Sequence, residues 1–327
     1  MKKVLGIGNA LTDILFQIGN DDLLTKLDLI KGGMQLIENT QSERIQSNFP
    51  LSSAVMATGG SASNTINGIA KLGTPTGFIG KIGDDTIGRF FSENSLENGV
   101  IPHMLFSQTP SGHCTILVSP DSERTLCTFL GAASELATED LAPKIFEGYD
   151  FFHIEGYLVQ NHALIRTALK MAKEAGLTTS IDLASFNVVK ENLDFLREIT
   201  EKYVDITFAN EDEAYVFTGK KPRKAIDEIA KLCKIAVVKI GKDGSYIRSG
   251  DEFYIVEPHI VNSVDATGAG DLYASGFLYG LANDYPLEAC GKIGSLVSSR
   301  VVEVIGAKMS EDTWTDISGK VKEIVRI

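Results

Sequence analysis

The stretch VDATGAGDLYASGF, residues 264–277, places a loop of small residues and a carboxylate at the start of a helical pattern. Gly268, Ala269 and Gly270 stand directly before Asp271. If a helix begins near Gly270, the backbone N–H groups of the loop point at one spot, where a helix N-terminus favours an anion such as phosphate. A carboxylate there repels phosphate, so it suits a general base that takes a proton from an attacking hydroxyl. An ordinary helix start with an acidic first turn has the same spacing, and the spacing alone leaves both interpretations open.

The composition describes an acidic protein with enough apolar residues for a large core. The chain has 327 residues, 43% of them hydrophobic and 23% charged, with a net charge of -12 and an isoelectric point near 5.0. This length fits one large α/β domain or a large domain with a small one. The negative charge argues against a general nucleic-acid or membrane-surface binder, which needs a basic face.

The cysteines and the start of the chain predict a cytoplasmic protein. The four cysteines lie far apart without a C-x-x-C pair, so we expect free thiols in a reducing compartment. In MKKVLGIGNALTDILF, Asn9 and Asp13 interrupt the apolar residues, so we expect a buried first strand rather than a signal peptide. No apolar run approaches the length that spans a membrane. The five histidines lack metal-ligand spacing, and we interpret them as packing or surface residues.

Strand-like runs alternate with helical periods through most of the sequence. The runs KVLGIG, TGFIGKIG, YDFFHIEG, LTTSIDL, VDITFAN and IAVVKIG predict strands, and segments such as HALIRTALKMAKEAG predict helices between them. This alternation predicts an α/β fold with a doubly wound, mainly parallel sheet and helices on both faces. Ligands of such sheets bind in the loops that follow the carboxyl ends of the strands.

Two regions break the alternation and predict a small β-sheet lid. Residues 11–38 contain the short strand candidates ILFQI and MQLI around KGG. Residues 104–129 are typical of a hairpin, in which a turn at PDSE joins GHCTILVS to RTLCTFL. Such a lid would exclude water from a site at the edge of the main sheet. Because the sequence has no internal repeat or long linker, we expect residues 1–327 to form a single domain that carries this lid.

Two motifs resemble the signatures of one enzyme family. VDATGAGDLYASGFLYGL closely resembles the C-terminal signature of the ribokinase-like (PfkB) carbohydrate and nucleoside kinases, and TGGSASNTINGIAKLG, residues 58–73, resembles their N-terminal signature. The motifs stand in the family's order, and the resemblance covers essentially the whole chain. It implies a kinase that uses ATP and Mg²⁺, with Asp271 as the catalytic base and the amides of Gly268, Ala269 and Gly270 as the anion hole.

The resemblance also assigns an acceptor site. In GNALTD, residues 8–13, Asp13 follows the first strand, and the matching aspartate of the family binds two sugar hydroxyls. In GGSASN, Gly59 and Gly60 permit a close backbone approach to a ligand, and Asn64 offers a donor and an acceptor. Taken alone, Asp13 is also typical of a turn aspartate, and GGSASN is more typical of a capped helix after a turn than of a binding site. The resemblance implies that Gly59, Gly60 and Asn64 bind the substrate, with Asp13 as its main anchor.

Two further segments are assigned to the nucleotide by the resemblance. ANEDEAYVFTG contains Asn210 and Glu213, which match a family motif associated with phosphate positioning and with Mg²⁺ bound through water. VVKIGKDGSY contains Gly241 and Gly244, which correspond to a loop that lines the ATP site in the family. An exposed acidic helix start and a plain β-turn are the alternatives that the residues alone permit. The role of Lys239 stays open, because the family more often has Thr or Ser there.

A monovalent cation such as K⁺ is a further expectation from the resemblance. We assign it to Asp265, Thr267 and backbone groups near Gly306. Ala266 departs from the family pattern, which usually has Thr or Ser at this position. Thr267 is the neighbouring hydroxyl available in its place.

The acceptor is predicted from the branch of the family that the chain resembles most. SERTLCTFLGAASEL, residues 122–136, resembles the adenosine-kinase branch, and the GNALTDI and ANEDEA segments favour the same branch. We therefore expect phosphorylation of the 5′ hydroxyl of adenosine or a related purine ribonucleoside. Phe106 and Phe129 are candidates to stack on the base or to pack within the core or lid. As partners we expect a small-molecule nucleoside or sugar, no nucleic acid and no membrane, in a monomer or a homodimer formed through the lid.

Three alternatives stay open at this point. A kinase of ribose, fructose or a keto-deoxy sugar acid would lack an apolar slot beyond the sugar. A non-catalytic ligand-binding regulator would turn over no ATP, although the intact Asp271 loop argues against it. A nicotinamide-dependent dehydrogenase is weakly supported, because Leu11 stands where the third glycine of a dinucleotide fingerprint would follow Gly6 and Gly8.

Overall fold

The computed structural model describes residues 1–326, which form two β-sheets and the helices packed on them. The strands are β1 (Val4–Ile7), β2 (Leu11–Gln17), β3 (Met34–Leu36), β4 (Val55–Gly59), β5 (Thr76–Gly83), β6 (Val100–Ser107), β7 (His113–Val118), β8 (Arg124–Phe129), β9 (Phe151–Glu155), β10 (Thr178–Asp182), β11 (Ile206–Asn210), β12 (Ile235–Lys239), β13 (Ser245–Ser249) and β14 (Glu252–Val256). The α-helices are α1 (Asp22–Lys26), α2 (Asn39–Gln46), α3 (Ser61–Lys71), α4 (Thr86–Glu97), α5 (His162–Glu174), α6 (Phe186–Glu191), α7 (Leu193–Tyr203), α8 (Glu211–Thr218), α9 (Pro222–Ile229), α10 (Ala269–Ala282), α11 (Leu287–Val301) and α12 (Glu311–Ile324). Short 3₁₀ turns lie at Leu51–Ser53, Gly131–Glu135, Thr138–Asp140, Pro143–Phe146, Gly156–Gln160 and Gly241–Asp243.

Within residues 1–326, nine strands form the large sheet in the order β14-β13-β12-β11-β10-β9-β1-β5-β6. Neighbours from β12 to β6 run parallel, whereas β13 and β14 are antiparallel to their neighbours. Parallel neighbours need crossover connections, and helices supply them here. The predicted doubly wound, mainly parallel sheet is therefore confirmed.

Helices cover both faces of the large sheet because strand side chains alternate between two hydrophobic cores. In β12, Ala236 and Val238 face a core that they share with α5, α7, α8 and α9. Val237, between them, faces the core that contains α3, α10 and α11. All three side chains are fully buried. Burial on both faces explains why these strands read as continuous apolar runs in the sequence.

Within residues 1–326, the small sheet has five strands in the order β3-β8-β7-β2-β4, and we call it the lid. β7 and β8 form the predicted antiparallel hairpin, and ILFQI and MQLI overlap β2 and β3. The lid has a core of its own, in which Ile14, Leu117 and Cys127 are buried. The chain crosses from the large sheet to the lid between β1 and β2, so the two sheets are joined close to the carboxyl end of β1.

The lid differs from its predicted boundaries at two strands. Residues 104–107 belong to β6, which pairs in parallel with β5 in the large sheet rather than with the lid. The chain reaches this position because α4 ends at Glu97 and Gly99, with φ +83°, turns it back beside β5. The sequence does not predict β4, since VMATG is short and leads straight into α3, yet β4 pairs antiparallel with β2.

The four cysteines are free thiols, as expected. Cys114, Cys127 and Cys290 are buried, and Cys233 is half-buried. Burial raises the pKa of Cys114 to about 12, so its thiol stays protonated at neutral pH. Among the helices of residues 1–326, none combines the length and the apolar character needed to cross a membrane.

The core contact between α10 and β11 leads to a stability prediction. Phe277 and Phe208 are fully buried and pack edge to face, with ring centroids 5.4 Å apart. We expect Phe277→Ala to lower the free energy of unfolding by about 3–5 kcal/mol, because it removes buried apolar surface and leaves a cavity. Urea-induced unfolding followed by circular dichroism measures this.

The matched control is Phe106→Ala, because the Phe106 side chain is 66% exposed. We expect this variant to change the free energy of unfolding by less than about 0.5 kcal/mol. Equal losses in the two variants would contradict the assignment of Phe277 to the core.

Candidate active site

A cavity of about 1260 Å³ lies between the lid and the carboxyl edge of the large sheet. Its lining includes residues at the ends of β9, β10, β11 and β12, the loop after β1, the start of α10 and strands of the lid. Parallel strands end at one edge of a sheet, so the loops that follow them meet there. Common ligand pockets reach roughly 1,000 Å³, so this cavity has room for two ligands side by side.

The start of α10, with Gly268 at its N-cap, offers free backbone donors to the cavity. Within residues 1–326, the N–H groups of Gly268, Gly270 and Asp271 have no protein acceptor, whereas that of Ala269 donates to the Ala266 carbonyl at 3.2 Å. Free N–H groups at a helix N-terminus form a site for an anion. Of the three residues predicted to form the anion hole, Gly268 and Gly270 have a free N–H group, whereas the N–H group of Ala269 is already bonded. The free N–H group of Asp271 is a donor that the sequence analysis missed.

Asp271 lies where the starts of α10 and α3 meet. Its Oδ1 accepts a hydrogen bond from Ser61 Oγ at 2.6 Å, and its Oδ2 accepts one from Asn64 Nδ2 at 3.0 Å. Burial raises the pKa of Asp271 from 3.8 to about 6, and these two hydrogen bonds oppose the rise. Such a carboxylate is mostly ionised at neutral pH and accepts a proton more readily than an ordinary aspartate. The sequence analysis missed Ser61, although it lies within GGSASN.

Asp13 reaches the same cavity from β2 of the lid. Burial raises the pKa of its carboxyl to about 6, against the opposing charges of Lys308 and Arg124. A Cβ atom at Gly59 would lie 2.5 Å from Asp13 Oδ1, so glycine at this position leaves room for the carboxylate. The predicted substrate anchor, Asp13, and the predicted base, Asp271, therefore line one cavity.

Lys308 places a half-buried cation close to both of these carboxylates. Its Nζ donates to Thr58 Oγ1 at 3.1 Å. Burial lowers the pKa of Lys308 to about 8, while Asp13 and Asp271 oppose the fall. The sequence analysis missed this residue, because nothing in the chain around position 308 marks it as a neighbour of Asp13.

Glu155 ties the loop after β1 to the start of α3. Its carboxylate accepts hydrogen bonds from Asn9 N–H at 2.9 Å, Asn9 Nδ2 at 2.6 Å and Ala62 N–H at 2.9 Å. Gly60, beside it, has φ +92°, and a Cβ atom there would lie 2.3 Å from the Asn9 carbonyl oxygen, so both conformation and space require glycine. Burial raises the pKa of Glu155 to about 7. Its partners lie 146 and 93 residues away, which hides this link from the sequence.

Asn210 and Glu213 begin α8 with a reciprocal capping box. Asn210 Oδ1 accepts from Glu213 N–H at 2.9 Å, while the Glu213 carboxylate accepts from Asn210 N–H at 2.8 Å and Asn210 Nδ2 at 2.6 Å. Glu213 is buried, and burial followed by the charge of Asp182 raises its pKa to about 7. Glu211 and Asp212 are exposed, as expected of an acidic helix start. The pair therefore stabilises the helix start, and both side chains also line the cavity.

Gly241 and Gly244 form the turn between β12 and β13. Their φ angles are +55° and +95°, and a Cβ atom at Gly244 would lie 2.0 Å from the Val256 carbonyl oxygen. The turn alone thus requires glycine at these positions. Both residues also line the cavity, on the side formed by the end of β12.

Asp265, Thr267 and Gly306, the predicted cation site, lie together. Asp265 Oδ1 accepts from Thr267 N–H at 2.9 Å and Thr267 Oγ1 at 2.7 Å, and Oδ2 accepts from Gly306 N–H at 2.8 Å. Arg124 of β8 forms an ion pair with the same Oδ2. Burial would raise the pKa of Asp265, but these hydrogen bonds and the charge of Arg124 lower it overall. The guanidinium thus supplies a positive charge to this carboxylate.

The carboxylates of Asp182 and Glu213 are neighbours on the side of the cavity formed by β10 and α8. Within residues 1–326, no group of three or more His, Cys, Asp or Glu side chains is arranged to hold a metal directly. Hard oxygen donors of this kind fit a Mg²⁺ ion that keeps several waters. They do not fit a metal that needs a full protein cage.

The aromatic residues named as candidates to stack on a base do not reach the cavity. Phe106 lies exposed on β6, and Phe129 packs against His113 in the lid, with ring centroids 5.4 Å apart. Among residues 1–326, the tyrosines that line the cavity are Tyr157 and Tyr273. Tyr273 is buried, whereas Tyr157 is 41% exposed, so Tyr157 presents the accessible ring.

The family model for pfkB family carbohydrate kinases matches residues 21–314. The chain belongs to this family. It is therefore a phosphotransferase with an alcohol group as acceptor, as the two sequence motifs predict. ATP as the donor, and typically Mg²⁺, accompany this kinase class.

Similar proteins include both nucleoside and sugar kinases. The adenosine kinase from Sinorhizobium meliloti has a TM-score of 0.85 and 34% identity, covering 98% of this chain and 99% of that chain. A probable sugar kinase from Rhizobium etli has a TM-score of 0.85 and 33% identity, covering 100% of this chain and 99% of its own. A 5-dehydro-2-deoxygluconokinase from Shouchella clausii is 30% identical over 290 residues, which are 81% of this chain and 86% of the relative. The ribokinase-like fold and the kinase class are thereby confirmed.

The conformation of Gly268 at the start of α10 leads to a prediction. Gly268 has φ +76°, and a Cβ atom there would lie 2.7 Å from Ala307 Cβ. We expect Gly268→Ala to lower the free energy of unfolding by about 1–3 kcal/mol, because alanine is strained in this conformation and meets Ala307. Thermal and urea unfolding measure the change.

Gly319→Ala is the control, because Gly319 lies within α12 and a Cβ atom there would meet nothing within 4 Å. This substitution should raise the free energy of unfolding by about 0.5–1 kcal/mol, since glycine is unfavourable inside a helix. A Gly268→Ala protein as stable as the wild type would show that the loop does not need a left-handed residue.

Proposed function

We propose that the protein transfers the γ-phosphoryl group of ATP to the 5′ primary hydroxyl of a ribonucleoside, adenosine or a related purine nucleoside. The supporting observation is an apolar wall of the cavity on the side of the lid. Its residues are Leu11, Met34, Leu36, Ile116, Leu126 and Leu130. Met34 and Leu36 are 62% and 68% exposed, which is unusual for large apolar side chains unless a ligand or partner covers them. A purine has two broad apolar faces to bury against such a wall, whereas a free sugar carries hydroxyl groups around its ring and has much less apolar surface.

In this proposal the ribose lies between the lid and α3. Asp13 accepts hydrogen bonds from two ribose hydroxyls, with Gly59 leaving room for its carboxylate. Gly60 and Asn64 contact the sugar from the start of α3. Tyr157, whose ring is accessible from the cavity, stacks on or beside the base.

The transfer step follows from the surroundings of Asp271. Its carboxylate takes the proton of the 5′ hydroxyl as the new oxygen–phosphorus bond forms and the bond to ADP breaks. The free N–H groups of Gly268, Gly270 and Asp271 stabilise the charge on the transferred group. Ser61 and Asn64 hold the carboxylate in place through their hydrogen bonds.

The nucleotide is proposed to lie along the turn that contains Gly241 and Gly244, on the side of β12. Mg²⁺, held through water near Glu213 with Asn210 beside it, would neutralise phosphate charge when bound. Asp265, Thr267 and backbone groups near Gly306 are also proposed to bind K⁺. A purely structural role for these residues is the alternative. The Arg124 ion pair with Asp265 favours the structural role.

A kinase of keto-deoxy sugar acids is the second candidate. The 5-dehydro-2-deoxygluconokinase relatives favour it. The cations of Lys308 and Arg124, which act on the Asp13 carboxyl, would also attract the carboxylate of such an acceptor. Ribose and fructose are the other sugars that the family resemblance suggests.

The assembly is proposed to be a monomer or a homodimer, and the outer strands β3 and β4 are the lid edges at which a second copy would pair.

The deciding experiment is ADP release from Mg·ATP with purified protein. The acceptors are adenosine, inosine, guanosine, ribose, fructose and 5-dehydro-2-deoxygluconate, each in potassium and in sodium buffer. We expect the largest kcat/KM on a purine nucleoside, because only a nucleobase covers the apolar wall of the lid. Turnover on sugars alone would overturn the acceptor and keep the kinase, whereas no turnover on any acceptor would favour a non-catalytic regulator. A rate that needs potassium would support the cation role of Asp265.

The proposed base leads to a prediction about Asp271→Asn. We expect kcat to fall by roughly 10²–10⁴ with ATP affinity retained, because an amide cannot accept the proton. In the wild type, kcat/KM should fall as the pH drops through about 6, since the pKa of Asp271 is raised to about 6 and only its ionised form is a base. Steady-state kinetics from roughly pH 5 to pH 9 measure both effects.

The control for this prediction is Asp194→Asn. Asp194 also lies in the first turn of a helix, but it is exposed on α7 and away from the cavity lining. This variant should keep the wild-type kcat and pH profile. Near wild-type turnover of Asp271→Asn would remove Asp271 from the role of base.

A further inference from the structure

Lys239 occupies the last position of β12, at the cavity edge of the large sheet. Its Nζ donates to Asp182 Oδ2 at 2.7 Å, and the two side chains are only 14% and 8% exposed. An ammonium group has three N–H donors. Within residues 1–326, Asp182 is the one hydrogen-bond partner of Lys239 Nζ, so two donors stay available to a ligand in the cavity.

The Lys239 ammonium also lies close to Gly270 in the first turn of α10. A Cβ atom built on Gly270 would lie 3.0 Å from Lys239 Nζ. Gly270 is one of the residues whose backbone N–H has no protein acceptor within residues 1–326. An anion bound to this N–H group would therefore lie on the part of the cavity wall that also carries the lysine ammonium.

Lys239 is a positive charge among three carboxylates. Burial alone would lower its pKa, but Asp182, Glu213 and Asp271 raise it overall, so the ammonium form persists at neutral pH. The negative charge that these carboxylates carry in their ionised forms leaves this region unfavourable for a triphosphate. A cation placed at the loop offsets that repulsion where the phosphoryl group would bind.

A second Lys–Asp ion pair, Lys81–Asp140, differs from the Lys239–Asp182 pair in its distance from the cavity. Lys81 and Asp140 form an ion pair of 2.8 Å, with side chains 14% and 18% exposed, so the two pairs are alike in length and burial. Lys81 also donates to the Glu135 carbonyl at 3.2 Å, and its pair lies outside the lining of the cavity. An ion pair that serves only the fold therefore exists elsewhere in this chain, without contact to the loop before α10.

We propose that Lys239 is a catalytic residue whose ammonium contacts the γ-phosphoryl group and stabilises its charge during transfer. This inference rests on the proposed function, because it requires ATP with its γ-phosphoryl group at the loop before α10. No bond to Lys239 forms or breaks: the phosphorus–oxygen bond to ADP breaks, the bond to the acceptor oxygen forms, and the proton goes to Asp271. A fixed charge aimed at the transferred group stabilises the transition state without reorganisation of its surroundings.

The first test compares Lys239→Met with Lys239→Arg and with the matched Lys81→Met. We expect Lys239→Met to lower kcat by roughly 10²-fold, the usual effect of removing one such stabilising donor. Lys239→Arg keeps the charge and should retain roughly ten times more turnover than Lys239→Met. Lys81→Met removes an equally buried ion pair and should keep the wild-type kcat. Turnover of Lys239→Met within about threefold of the wild type would overturn the proposal.

A double-mutant cycle separates contact with the phosphoryl group from neutralisation of Asp182. We expect Lys239→Met to lower kcat by a similar factor in the wild type and in the Asp182→Asn background, because its target is the ligand. If Lys239 served only to neutralise Asp182, it would have no further effect in that background, and this result would overturn the proposal. Melting temperatures of all four proteins show whether each variant is folded, and the Asp182→Asn background avoids an unpaired buried charge.

Nucleotide binding tests the same contact without turnover. Isothermal titration calorimetry compares ADP with a non-hydrolysable ATP analogue, both with Mg²⁺. Lys239→Met should weaken the analogue about tenfold and change the affinity for ADP by less than about twofold, because ADP lacks the γ-phosphoryl group. An equal change for the two nucleotides, or none, would overturn the proposal. A wild-type protein that phosphorylates no acceptor would overturn the proposed function, and this binding comparison would still decide the role of Lys239.

Discussion

The close packing of α3 against α10 is the contact on which the site depends. A Cβ atom at Gly68 of α3 would lie 2.3 Å from Ser275 Oγ of α10, so only a residue without a side chain allows this approach. The packing brings the two helix starts together, and Thr65 Oγ1 donates to the Asp271 carbonyl at 3.1 Å. Because α3 follows a lid strand and α10 follows the loop with Gly268, the same contact aligns the proposed acceptor side and the proposed phosphoryl side around one carboxylate.

The parts of the fold that the sequence predicts are those with a local cause. Strands β9 to β12 are visible because each is a short apolar run buried on both faces, bounded by a helix with its own period. The segment Gly268–Gly270 could be predicted because small residues at the start of a helical pattern indicate a turn that exposes backbone N–H groups. Lys239, by contrast, reads as one more residue of a buried strand, and its charge has meaning only beside Asp182 and Gly270.

Contacts between distant parts of the chain account for what the sequence does not predict. Ser61 and Asp271 are 210 positions apart, and Arg124 and Asp265 are 141 apart. Neither pair has a spacing or pattern that marks it, since the topology of the two sheets brings them together. The predicted boundary of the lid was wrong for a related reason: the local sequence of residues 104–107 does not show which sheet they join, and the crossover through α4 places them beside β5. Tyr157 rather than Phe106 or Phe129 reaches the cavity because the chain turns at the end of β9.

Four carboxyl groups that line the cavity have raised pKa values. Burial raises the pKa values of Asp13 and Asp271 to about 6 and those of Glu155 and Glu213 to about 7, from ordinary values of 3.8 and 4.5. The folded chain therefore holds these protons more tightly than the unfolded chain. The contribution of these groups to stability is greatest below about pH 4 and is lost as the pH rises towards about 7. Positive charge brought into the cavity lowers these pKa values and expels protons, so occupancy of the site, proton release and resistance to unfolding are thermodynamically linked.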